Sequence, residues 1–217
     1  MKGGERVDGE RIVVADPADL PHIARIYREI FPDDIPSRLG HTACERYLRA
    51  LISSPGVWLW VKKSEGNPIA FAFLRLDWTA RRGSNRQLLS WRVLPMLLWN
   101  LPFFLRLYGR RLRTRTALSK QRGSWQKPEW EAAQREQCPY LFKLGVSRPY
   151  RRRGIGRQLI RRRIEFAREL GASQIALTVD MDNQRAVDLF EEFGFRRVAY
   201  GADSNSYGYL LDLAQSI

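Results

Sequence analysis

A chain of 217 residues and 25.3 kDa, 44% hydrophobic and 12% aromatic, can build one domain with a real core and is too apolar for a disordered tail protein. Its two cysteines, Cys44 and Cys138, exclude a disulfide scaffold and a four-cysteine zinc site, and with two histidines no metal is expected. The formal net charge of +14 is concentrated in two blocks: residues 78–128 hold 12 Lys/Arg and no acid, and residues 143–168 hold 10 basic side chains and one acidic. Residues 1–77 are balanced, with 11 of each sign. Blocks of this kind point to an anionic partner: a phosphorylated cofactor, anionic lipid or nucleic acid. The start, residues 1–10, is polar, unlike a secretory signal, and reads as a disordered lead-in to a cytoplasmic, reduced protein.

Along the chain, Arg11–Ala15 reads as a short strand, and Asp16-Pro17 as an N-cap with proline at the first helical position. Leu20, Ile23, Ile26, Tyr27 and Ile30 recur at helical spacing up to Phe31-Pro32. After a loop containing Asp33 and Asp34, a second helical period runs from Arg38 to Ile52, closed by Pro55-Gly56. His22 and His41 lie on these helices as surface residues. Val57–Lys62 and Ile69–Leu76 read as a hairpin around a turn at 64–68.

Residues 78–137 break the pattern as a basic, apolar, helical insertion. Within them, 88–108 is long enough to raise the question of a membrane span, but Arg92, Asn100, Arg106, Pro95 and Pro102 make it a poor one. The flanking arginines suit Pro-broken helices packed on the domain, or an interfacial element touching an anionic membrane. Exposed apolar surface there would also suit a homodimer. Regular structure resumes with a strand at Tyr140–Val146, a helix at Gly154–Leu170, a strand at Gln174–Val179 and a helix at Arg185–Phe193 stopped by Gly194. Arg196–Tyr200 and Tyr207–Leu213 close the chain as strands. The alternation gives an α/β fold with a mixed sheet, one domain over 11–217.

The strongest local signal is the run from Leu144, Gly145 and Val146 through Arg151, Arg152, Arg153, Gly154, Ile155 and Gly156 to Arg157. A strand leads through a loop into a helix whose first turn offers free N–H groups and partial positive charge, and glycines there let a phosphate approach the backbone. It is neither a Walker loop nor a dinucleotide fingerprint.

These residues resemble the Arg/Gln-x-x-Gly-x-Gly/Ala loop of the GCN5-related N-acetyltransferase (GNAT) superfamily. Asn183, Ala186, Leu189, Phe190, Glu191, Gly194 and Phe195 resemble its second motif at the usual distance. The resemblance covers 11–77 and 139–213 and implies a splayed central sheet flanked by helices. It implies acetyl-CoA, or another acyl-CoA, as donor and a primary amine of a small molecule or amino sugar as acceptor, joined by direct attack in a ternary complex. Backbone groups of Leu144, Gly145 and Val146 would pair with the pantetheine arm, with the Val146 N–H polarising the thioester carbonyl. The N–H groups from Arg151 to Arg157 would hold the pyrophosphate, and Asn183 would contact pantetheine or cap its helix.

The chain departs from the family at its acid and base positions. Phe190 stands where a Tyr often protonates the thiolate, and Tyr140 and Thr178 stand where strand carboxylates often act. Tyr140, Asp77 and Asp180 are the catalytic candidates that remain. Asp33, Asp34 and Arg38 fall in the loop that borders the acceptor site in such folds. Two other readings stay open: a long-chain N-acyltransferase using the insertion around Trp91, Trp99, Phe103 and Phe104 as acyl or lipid site, and a non-catalytic domain that binds CoA or, through basic residues and Trp78, Trp91, Trp125 and Trp130, nucleic acid.

Overall fold

The computed structural model describes residues 11–76, 128–136, 138–201 and 206–213. Asp77 and most of the insertion, 77–127, lie outside the described residues, as do residues 1–10. Among the described residues the architecture is mixed α/β, with seven strands in the order β1-β2-β3-β4-β5-β7-β6. The chain forms two compact units, one of residues 1–75 with 142–165 and the other of 76–141 with 166–217.

In the first unit, β1 (Ile12–Val14) runs antiparallel to β2 (Val57–Ser64), which pairs antiparallel with β3 (Asn67–Arg75). The β2–β3 turn is tight because Glu65 and Gly66 both adopt positive φ, 51° and 79°, which matches the strand twist. Asp16 does cap, but the element it opens is a 3-10 turn at Pro17–Asp19: its carboxylate accepts from the Ala18 N–H at 2.8 Å, and Asp19 returns the bond to the Asp16 N–H at 2.9 Å. α1 (Leu20–Ile30) follows directly, and its buried Leu20, Ile23, Ala24, Ile26 and Tyr27 pack against Phe71 and Phe73 of β3.

The helix expected over Arg38–Ile52 begins instead at His41, and a short separate helix precedes it in the loop. α2 (Ile35–Arg38) ends before Gly40, whose φ of 97° is closed to a helix, and α3 (His41–Ile52) restarts after it. The proline at position 36 sits in the first turn of α2, where its missing N–H is harmless. Fully buried Tyr27, Phe71, Phe73 and Leu48 anchor this core, each worth about 2–5 kcal/mol against truncation to alanine.

β4 (Tyr140–Val146) begins in the second unit and ends in the first. α5 (Ile155–Glu169) buries Ile155, Leu159, Ile160, Ile164 and Ala167, the face read from the sequence. It also buries Arg163, one of the ten basic side chains of the 143–168 block. That guanidinium is 1% exposed and donates to the Phe73 carbonyl at 2.9 Å and the Leu159 carbonyl at 3.3 Å. Burial pulls its pKa down to about 9, so it stays charged at neutral pH.

In the second unit, β5 (Gln174–Asp180) pairs antiparallel with β7 (Ser206–Asp212), which pairs antiparallel with β6 (Arg196–Gly201). β4 meets β5 in parallel through Tyr140–Ala176 and Leu141–Leu177. Of the residues read as an insertion, 128–136 are described. They include α4 (Pro128–Arg135), whose Trp130 and Ala133 belong to a core with Cys138, Ala176, Val198 and Leu210. Trp130 is therefore packing, not a surface for base stacking. α6 (Gln184–Glu192) ends before Gly194, at φ 85° as a C-terminal cap requires. Among the described residues, no helix is long and apolar enough to cross a membrane, and no cluster of His, Cys, Asp or Glu is arranged to hold a metal ion.

Candidate active site

The loop after β4 is built as a cradle of backbone donors. A 3-10 turn at Arg148–Tyr150 is followed by Arg152 at φ 62° and Gly154 at φ 74°, and α5 starts at Ile155. The first helical bond runs from the Gln158 N–H to the Gly154 carbonyl at 3.1 Å, so the N–H groups of Gly154, Ile155 and Gly156 precede any intrahelical acceptor. The two glycines serve different ends. A Cβ on Gly154 would touch nothing within 4 Å, and glycine is needed there for its left-handed backbone. Gly156 has ordinary helical φ, and a Cβ would meet only Leu144 Cδ2 at 3.8 Å. Its bareness leaves room for something other than the protein itself.

Arg151, Arg152, Arg153 and Arg157 are exposed around this turn. Glu29 of α1 fixes the loop, accepting from the Arg148 N–H at 3.1 Å and pairing with the Arg148 and Arg151 guanidinium groups at 3.4 and 3.7 Å. The residues present thus fit an anionic pyrophosphate: bare backbone donors at a helix start, ringed by arginines.

The preceding strand supplies the second feature. The Ser147 N–H bonds the Ile69 carbonyl at 2.9 Å. Backbone groups of successive residues in a strand point to opposite edges, so the Val146 N–H points away from β3. The Val146 carbonyl lies on that same edge and accepts from Arg151 Nε at 2.9 Å. Phe142, Lys143, Leu144 and Val146 are all half-buried, although β4 is fourth of seven strands. Gly145 is the packing residue of the run: a Cβ there would fall 2.6 Å from Ile30 Cδ1 and 2.7 and 2.9 Å from the Phe71 ring.

Beside this strand lies a cluster that the sequence did not announce. Lys143 adopts φ 45° in mid-strand, and its ammonium pairs with Asp34 Oδ2 at 2.7 Å and sits 4.2 Å from the Phe31 ring centroid. The same Asp34 oxygen accepts from the Tyr27 hydroxyl at 2.5 Å. Burial, then the neighbouring Tyr47 and Asp34, push the Tyr27 phenol far above its usual range. Tyr47 is pushed up to about 12, chiefly by burial. Neither tyrosine ionises in the physiological range. Asp33 pairs with Arg38 on the surface. The sequence placed Asp34 in the right loop, but nothing in it marked Lys143, because a left-handed lysine has no local signature.

The acid and base candidates fall in the second unit. Tyr140 and Thr178, the two strand positions lacking the family's carboxylates, hydrogen-bond to each other at 2.5 Å. Asp180 is exposed, and its carbonyl accepts from the Asn183 N–H at 3.0 Å. Asn183 is the N-cap of α6, accepting from the Ala186 N–H at 3.2 Å. Asp77 lies outside the described residues. Phe190 packs edge-to-face on Phe195, 5.6 Å between ring centroids, and supplies no hydroxyl. Glu191 beside it is held by Tyr209 at 2.8 Å and Arg197 at 3.0 Å. Both cysteines are buried thiols pushed up to about 12 by burial, which excludes them as nucleophiles at neutral pH.

The mixed sheet with its strand-to-helix cradle resembles that of known acetyltransferases in sequence and in fold. Residues 121–195 match the model of the acetyltransferase (GNAT) family. A probable N-acetyltransferase family 8 member 5 of Mus musculus is 40% identical over 57 residues, and an N-acetyltransferase 8 of Rattus norvegicus 37% over 57. Each match covers 26% of this chain and about a quarter of the relative's length (25% and 26%). Among solved structures, an N-acetyltransferase from Staphylococcus aureus superposes with TM-score 0.56 at 18% identity, covering 95% of this chain and 99% of that one. Arabidopsis thaliana NAA60 in complex with acetyl-CoA gives 0.56 at 16%, covering 94% and 99%. These structural likenesses establish the fold. The family match is confined to residues 121–195, and the chain spans about a quarter of the length of the curated relatives it matches.

Proposed function

We propose that this protein is an acetyl-CoA-dependent N-acetyltransferase acting on the primary amine of a small molecule or amino sugar. The observation that carries the reading is the pairing, within one unit, of an exposed backbone cradle at Gly154–Gly156 with a β4 edge that presents the Val146 N–H. The relatives named N-acetyltransferase, and the acetyl-CoA bound by the plant neighbour, support the choice of donor.

Acetyl-CoA supplies an activated acyl carbon and a sulfur that leaves readily. The N–H groups of Gly154, Ile155 and Gly156, with Arg152 and Arg153, hold its pyrophosphate. The β4 backbone from Leu144 to Val146 pairs with the pantetheine amides, and Arg151 must release the Val146 carbonyl for this. The Val146 N–H donates to the thioester oxygen as negative charge grows there, a contribution of about 3–4 kcal/mol for one well-placed donor. The amine nitrogen bonds to the acyl carbon, the C–S bond breaks, and the proton lost by the amine ends on the departing thiolate. Neither Phe190 nor a strand carboxylate can carry that proton, which leaves the Tyr140 hydroxyl as the candidate to test.

Calorimetric titration with acetyl-CoA and with a long-chain acyl-CoA, alongside a Gly154→Glu control, tests the reading. Acetyl-CoA binding that the control abolishes, followed by amine-dependent thiol release, is the expected result. Preference for the long chain moves the acyl site toward the insertion. Binding without turnover on any amine gives the non-catalytic CoA-binding domain, and binding of neither donor overturns the proposal.

A further inference from the structure

We propose that Lys143 is a positioning residue, whose ammonium, anchored by Asp34, holds β4 in the left-handed turn that presents the Val146 N–H to the thioester. The inference rests on the functional reading above for the role of Val146 and goes beyond it in naming what keeps the strand in shape.

Lys143 sits at φ 45° inside a strand. A residue with a Cβ is disfavoured there because the Cβ crowds the following carbonyl, and lysine has no short side chain to offset this by local hydrogen bonding. Residues 140–146 are otherwise strand, and an isolated left-handed residue persists there only where its surroundings hold it. Those surroundings are visible. The Nζ pairs with Asp34 Oδ2 at 2.7 Å and lies 4.2 Å from the Phe31 ring centroid and 5.9 Å from that of Tyr27. Asp34 is itself fixed by the hydroxyl of Tyr27, which is 1% exposed. A chain of contacts therefore runs from the α1 core, through Tyr27 and Asp34, to the backbone of residue 143. Two residues further on, Gly145 is pressed so closely on Ile30 and Phe71 that a Cβ has no room. Pinned at 143 and at 145, the strand delivers residue 146 with its N–H on the free edge.

The test sets alanine against glycine. Lys143→Ala removes the anchor and keeps the Cβ penalty, so the turn relaxes. Lys143→Gly removes the anchor and the penalty together, so the turn survives. Thiol-release turnover is expected to fall about tenfold in the alanine variant, the population factor that an unanchored Cβ in this region implies, and to stay within about threefold of wild type in the glycine variant. In the unliganded protein, backbone chemical shifts of Leu144, Gly145 and Val146 should move in the alanine variant and stay near wild type in the glycine variant. If the lysine instead contacts the acceptor or merely packs, alanine equals or exceeds glycine, and that order overturns the proposal, as does indifference to both changes. Calorimetry with acetyl-CoA on the wild type judges the functional reading separately: no binding sinks that reading, while the shift comparison still decides whether Lys143 holds the strand. Should the alanine variant fail to fold, Asp34→Asn weakens the anchor more gently, and adding Lys143→Gly to it should return the shifts toward wild type.

Discussion

Gly156→Ala separates the protein's own needs from those of its ligand. The new Cβ would meet Leu144 Cδ2 at 3.8 Å, an ordinary contact, and residue 156 already has helical φ. Replacing glycine by alanine inside a helix removes backbone freedom from the unfolded chain and is worth about 0.5–1 kcal/mol of stability. For a chain of about 200 residues this raises Tm by about 1–4 °C. Binding should move the other way. A phosphate oxygen must come to about 2.9 Å of a backbone nitrogen to bond it, and a methyl on the same face prevents that approach. Losing one charge-assisted hydrogen bond costs about 1.5–3 kcal/mol, so Kd for acetyl-CoA should rise roughly 10- to 150-fold. Differential scanning calorimetry and isothermal titration on the same preparation give both numbers. A variant that is more stable and binds more weakly is expected. Unchanged affinity would refute the assignment of the cradle to the pyrophosphate, and a clear loss of stability would refute the claim that the protein leaves the space open.

Two further outcomes follow from packing and charge. Gly145→Ala forces a Cβ to 2.6–2.9 Å from Ile30 and Phe71, and thermal unfolding should show a loss of about 1–3 kcal/mol, since the fully buried Phe71 ring cannot turn aside even where the Ile30 Cδ1 methyl can. Asp212 is held ionised chiefly by the Gln174 amide at 2.6 Å, with help from Arg196 at 3.0 Å, which lowers its pKa in the folded state. A depressed carboxylate contributes stability above its unfolded pKa of about 3.9 and loses it as pH falls through the folded value, so acid unfolding of Asp212→Asn should show a shallower pH dependence below about pH 4 than wild type.

Most of the fold was legible because periodicity and turn chemistry coincide in this chain. The helical spacing of Leu20, Ile23, Ile26 and Tyr27, the strand run Tyr140–Val146, and Gly194 as a helix stop each reappear in the structure within a residue or two. The errors have local physical causes. Gly40 interrupts a helical period that its apolar neighbours continue, because a positive φ overrides side-chain spacing. Arg163 reads as surface charge, yet its position on α5 turns it inward, where the Phe73 and Leu159 carbonyls receive it. The cradle was legible as a motif, glycines and arginines at a helix start. The Lys143–Asp34–Tyr27 cluster was not, because it joins residues more than a hundred positions apart through a backbone angle that no residue type announces.

On the proposed reading, the chemistry turns on what stands where the resembled family often carries a carboxylate or a tyrosine. Tyr140 and Thr178 occupy the two strand positions and hydrogen-bond to each other. A phenol ordinarily ionises near pH 10, so on the proposed reading it would hand a proton along a hydrogen-bonded chain rather than hold a charge. If the pair carries the amine proton, Tyr140→Phe and Thr178→Ala should each lower kcat about 10-fold or more, the lower range for a positioned proton-transfer group, and leave acetyl-CoA affinity within about twofold. Because the two act as one path, the double variant should lose little more than either single one. Multiplicative losses would mean that the hydroxyls work independently. Unchanged kcat in Tyr140→Phe would remove the pair from the mechanism and return the proton to solvent.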